Sequence, residues 1–135
     1  MIKKSVIVSV LVAFVAWVVL SLIRGAPYLE ISLPGGLPLG NVLVALGLGA
    51  LAGSALVLSV RGSALRAASL ISLVGAVLWL PASVALAGNA QLNFSGGRGA
   101  VWLALSVAIF AGACSTLLWA LGVAALAKIR GAGAA

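Results

Sequence analysis

Gly35-Gly36-Leu37-Pro38-Leu39-Gly40, with the apolar run 41–60 behind it, decides how this chain folds. A Pro-Gly-Gly turn leads into a stretch long enough to cross a hydrocarbon core of about 30 Å at about 1.5 Å per residue. Pro38 sits where a helix can begin without losing a backbone bond. Within the run Ala45, Gly49 and Gly53 recur every fourth residue and so share one helix face. In lipid, where expelling water drives nothing, such small-residue faces let helix backbones approach closely.

The arrangement returns near the C-terminus. Gly96-Gly97-Arg98-Gly99 leads into an apolar run over 100–127, in which Ala104, Ala108 and Gly112 take the same spacing. All six small residues are read as helix-packing positions.

Composition sets the class. Of 135 residues, 64% are hydrophobic and 7% charged, too little polar surface for a soluble domain and the balance of an integral membrane protein. Eight Lys and Arg stand against one acid, Glu30, for a formal charge of +7. The cations lie singly or in pairs at the ends of apolar runs, which is how topology signals are distributed. They form no basic patch of the kind nucleic-acid binders use, so no nucleic-acid partner is expected.

Working outward, the basic head 1–4 precedes an apolar run over 5–23, with a row of Ser5, Ser9 and Ala13 leading to Trp17. The run is longer than a signal-peptide core of about 7–15 residues and no small-x-small cleavage site follows it. It reads as a retained first span. Residues 24–40 form the first long loop, with 28–33 expected extended. The second span covers 39–60, and 61–66 is a tight helical-hairpin connection. The third span, 67–87, carries Pro81, from which a bend over 77–81 is expected. Residues 88–99 form the second long loop, with 91–95 again expected extended. The fourth span starts near residue 100 and can run to 129, longer than a bilayer requires.

The fold expected is therefore all-α and integral to the membrane, one four-span domain over 1–135. Lys3, Lys4, Arg61, Arg66, Lys128 and Arg130 fall on one side of the membrane and Arg24 and Arg98 on the other. The positive-inside rule puts both termini in the cytoplasm and the two loops outside. The expected location is the plasma membrane of a prokaryote.

Residues 4–21 and 66–83 match at one constant offset, Trp17 falling on Trp79 and Ser21 on Ser83. A slightly smaller offset aligns 40–58 with 99–117. The chain thus reads as a duplicated two-helix hairpin, 1–62 and 63–135, related by a pseudo-twofold axis along the membrane normal. Duplication would place the two loops together, with 28–33 pairing with 91–95 and Glu30 within reach of Arg98 or Arg24.

Little chemistry is available. The spans contain no ionisable carboxylate, imidazole or cation in their apolar cores, whereas ion paths and coupled carriers ordinarily place such groups there. A duplicated glycine-rich hairpin is similar to the proteolipid rotor subunits of rotary ATPases, but their membrane-embedded carboxylate has no counterpart here. In length and span number the chain is similar to the small multidrug transporters and small fluoride channels. It lacks the first-span glutamate of the former and the polar motifs of the latter, so no family is assigned. With no histidine and the single thiol of Cys114, neither a catalytic base nor a metal-ligand set is offered, and no cofactor is expected. Asn93-Phe94-Ser95 matches the N-glycosylation acceptor pattern.

The function expected is a non-enzymatic structural or accessory subunit of a larger membrane assembly. Its partners would be the lipid bilayer and other membrane subunits or further copies of itself. Two alternatives are an oligomeric channel or transporter with its path between protomers, and a filament subunit of the hairpin-pilin type.

Overall fold

The computed structural model describes residues 3–133, with side chains described as far as residue 131. Four helices follow in order: α1 Lys4–Arg24, α2 Leu39–Leu58, α3 Ala64–Ala87 and α4 Arg98–Gly133. Each is long and apolar enough to cross a membrane. The chain is an all-helical, multi-pass membrane protein, and no strand forms among the described residues. Helix starts and stops follow local chemistry. Ser63 caps α3 by accepting from the Arg66 amide at 3.1 Å, while Gly25 and Gly88 end α1 and α3 in the left-handed conformation. Pro81 lies within a continuous α3.

α2 is the centre of the bundle and packs on α1, α3 and α4. Small residues make this approach feasible: Ala52, Ser54 and Ala55 are fully buried, and a Cβ on Gly47 would stand 3.7 Å from Val18 Cγ1. One core cluster joins Leu51, Ala52 and Ala55 of α2 to Leu65 of α3 and Ala113, Leu117 and Ala120 of α4. A second joins Leu48 to Ala76 and Trp79, with Leu92 and Trp102 packed against it. The α2–α3 packing has no counterpart of similar extent between α4 and α1. A strict twofold relation of the hairpins would require one, so the packing is less symmetric than the repeated sequence.

Buried hydroxyls are satisfied locally. Ser54, Ser69 and Thr116 donate to the carbonyls of Ala50, Leu65 and Ala113, and no buried side-chain nitrogen or oxygen among the described residues lacks a partner. In hydrocarbon, where water cannot supply the missing bond, such closure is needed.

α4 outruns its neighbours. Ala120 packs beside Leu65, the second residue of α3, whereas every residue from 121 to 131 is exposed. The helix therefore extends past the bundle by roughly 20 Å at about 1.5 Å per residue.

The first loop departs from the extended expectation. Pro27–Glu30 is a 3₁₀ turn, not a strand. Residues 31–39 then double back on themselves: Ser32 bridges to Pro38, Leu39 N–H donates to the Ile31 carbonyl at 2.8 Å and Gly36 N–H to the Leu33 carbonyl at 2.9 Å. Pro34 followed by Gly35 at φ +88° is the residue order of a type II turn, which requires positive φ at its third position. The Ile31 carbonyl and both backbone groups of Leu33 are consumed inside their own loop, and the expected pairing of 28–33 with 91–95 does not form. Residues 91–95 are irregular as well, with Leu92 at φ +58° and Asn93 clamped by the Asn89 side chain, which accepts from its amide at 2.9 Å and donates to its carbonyl at 2.8 Å.

Candidate functional site

The expected packing face of α2 opens outward. Ala45, Gly49 and Gly53 are half-buried, and a Cβ added at either glycine would meet nothing within 4 Å. Together they floor an open groove of about 640 Å³ whose walls are Leu11 and Phe14 of α1 and Leu73, Val77 and Pro81 of α3. The lining is almost wholly apolar. Ala50, beside the stripe, is buried and reaches the same groove. The reason is geometric. α2 turns its Gly47, Leu48, Leu51 and Ala55 side toward its neighbours, and the 45/49/53 row falls in the gap between α1 and α3.

The second stripe divides. Ala104 and Ala108 are exposed, while Gly112 is half-buried with a Cβ position 3.9 Å from Ser72 Oγ. Ala108 and Gly112 line a smaller groove of about 240 Å³ between α3 and α4, with Ser72, Gly75 and Ile109. Thus both stripes border grooves, and one residue of each also makes a contact within the chain: Ala45 packs against the Leu48, Ala76 and Trp79 cluster and Gly112 faces Ser72.

An aromatic–hydroxyl lock lies near the loop end of the bundle. Trp79 of α3 donates to Ser106 of α4, and Trp102 of α4 donates to Ser83 of α3, both at 2.9 Å. Each serine in turn donates to the tryptophan carbonyl one turn back on its own helix, at 2.6 Å for Ser83 and 2.8 Å for Ser106. Phe94 from the second loop stacks on Trp102 with ring centres 5.0 Å apart. The first hairpin carries a simpler version. Tyr28 stacks on Trp17 at 5.9 Å, and its hydroxyl meets Ser21, which donates to the Trp17 carbonyl. The Trp-x-x-x-Ser spacing at 17/21, 79/83 and 102/106 is present in the sequence; the crossed pairing is revealed by the fold.

The two loops meet through Gln91, whose Nε2 lies 2.7 Å from where a Gly36 Cβ would stand. Glu30, Arg24 and Arg98 are all exposed, and no acid lies within 4.0 Å of a base among the described residues. The expected outer ion pair is therefore not formed. The 3₁₀ turn holds Glu30 on the first hairpin, where Leu29 O packs 3.2 Å from the Cβ position of Gly40, and solvated charges gain only about 0–1 kcal/mol by pairing. Asn93 is exposed, as a modification acceptor would have to be.

Comparison of the chain with protein-family models, with curated proteins and with solved structures finds no match.

Proposed function

We propose that the chain is a non-catalytic structural subunit of a larger membrane assembly and that the α2 groove receives an apolar transmembrane helix of a partner subunit. The observation carrying this reading is that Gly49 and Gly53 lie bare at the floor of a long apolar groove. A glycine in a helix interior costs roughly 0.5–1 kcal/mol relative to alanine. Gly47 and Gly75 offset that cost by admitting Val18 and Ile109 within the chain. Gly49 and Gly53 have no such neighbour, and a helix backbone seated against them would supply one.

The projecting end of α4 supports the same reading. Leu126 and Ile129 are 56% and 68% exposed and lie beyond the level at which α2 ends and α3 begins. The cation distribution favours cytoplasmic termini in a prokaryotic plasma membrane. The sequence repeat favours an ancestral hairpin duplication whose copies have since diverged in packing.

The test is purification of the tagged full chain in mild detergent with identification of stoichiometric companions. A defined set of other membrane chains supports the proposal. A symmetric homo-oligomer or an extended homopolymer replaces it with the channel or the filament.

A further inference from the structure

We infer that the end of the bundle formed by the α2–α3 turn holds the phosphate headgroup of an anionic phospholipid. A recess of about 610 Å³ at this end is lined by Lys4, Arg61 and Arg66, with Ile7, Leu56 and Val57 as its apolar wall. These cations come from three separate places in the chain: the start of α1, the inter-helix turn and the first turn of α3. The fold gathers them.

Among the described residues no carboxylate neutralises them. The only acid is Glu30, at the far end of α2, and a helix of 20 residues spans roughly 30 Å at about 1.5 Å per residue. Like charges held close together without a counter-charge repel, so an external anion is stabilising there. The starts of α1 and α3 add the positive ends of two helix dipoles to the same face. Lys3 at the start of α1 provides no side-chain cap of its own.

The mixed lining selects among anions. A free phosphate would use the cations and leave Ile7, Leu56 and Val57 idle. A phospholipid matches both parts, its phosphate among the cations and the top of an acyl chain along the apolar wall. Basic pockets between transmembrane helices are suited to such headgroups. This assignment is independent of the partner helix proposed above.

The experiment is native mass spectrometry of the full chain in detergent, titrated with phosphatidylglycerol or with phosphatidylcholine of the same acyl chains. The wild type is expected to retain phosphatidylglycerol preferentially. Each cation removed should weaken retention about fivefold, so R61Q/R66Q should lose about 25-fold. The control K128Q/R130Q removes equal charge from the projecting end of α4 and should stay within about twofold of wild type. K4Q, altering one exposed side chain, gives a second reading should the double variant fail to fold, with about a fivefold loss expected. Millimolar inorganic phosphate should not displace the lipid. Equal losses in R61Q/R66Q and K128Q/R130Q, no preference over phosphatidylcholine, an unaffected K4Q, or displacement by phosphate would each overturn the assignment.

Discussion

The indole N–H of Trp79 donates to Ser106 Oγ at 2.9 Å, and the Ser106 hydroxyl donates to the carbonyl of Trp102, whose indole N–H donates in turn to Ser83 Oγ. Two helices are thereby crossed by reciprocal bonds in which each serine both accepts from the opposite helix and donates to its own. Trp79 is only 3% exposed, so its donor has no substitute in water or lipid.

Ser106→Ala and Ser83→Ala should each lower stability by about 0.6–1.7 kcal/mol, from the average to the largest value typical of interhelical hydrogen bonds in membranes. Ser106→Ala should be the costlier, because it orphans the deeply buried Trp79 rather than the half-buried Trp102. Reversible unfolding in mixed detergent, read by tryptophan fluorescence, checks the order. The double variant should cost less than the sum, since both bonds hold the same helix pair.

Gly36 is doubly constrained, by φ +80° and by Gln91. Gly36→Ala should destabilise by about 1–3 kcal/mol, from left-handed strain and the displaced amide together. Gly97 has no positive φ and no neighbour within 4 Å of its Cβ position, so Gly97→Ala should be within about 0.5 kcal/mol of wild type. Paired thermal melts separate the two, and Gln91→Ala should relieve part of the Gly36→Ala loss.

Tyr28 joins the first loop to α1 by ring stacking on Trp17 and by its hydroxyl on Ser21. Tyr28→Phe keeps the stack and should cost about 0.5–1.5 kcal/mol. Tyr28→Ala loses both contacts and should expose the loop. Amide exchange over residues 26–39 should accelerate strongly in the alanine variant and only slightly in the phenylalanine one.

The spans and the Pro34-Gly35 turn were legible because hydropathy, proline and glycine act locally. Which face of each helix packs was not. In a soluble helix polar residues mark the outer side. Here Leu46 at 54% exposure and Leu48 at 6% are chemically alike, and nothing in the sequence tells inner from outer. The small-residue spacing marks Gly49 and Gly53 as helix-packing positions without saying against what, and the structure puts them on an open groove. The Trp-x-x-x-Ser spacing was present at 102/106, but its partner lies 19 and 27 residues away. Only the α3–α4 contact reveals that pairing. The paired-loop idea failed for a local reason: residues 31–39 satisfy one another first.

Gly49 and Gly53 floor an open groove, which we propose is a partner helix's seat. The most direct measurement is the mass of the tagged full chain, purified in mild detergent, with and without Gly49→Leu/Gly53→Leu, alongside the melting temperature of each. The wild type should run as a discrete complex containing other membrane chains. The double variant should run as the single chain with its detergent, its own melting temperature within a few degrees of the isolated wild-type chain. A variant that keeps its companions, or one that loses them only because its own fold melts, would contradict the account.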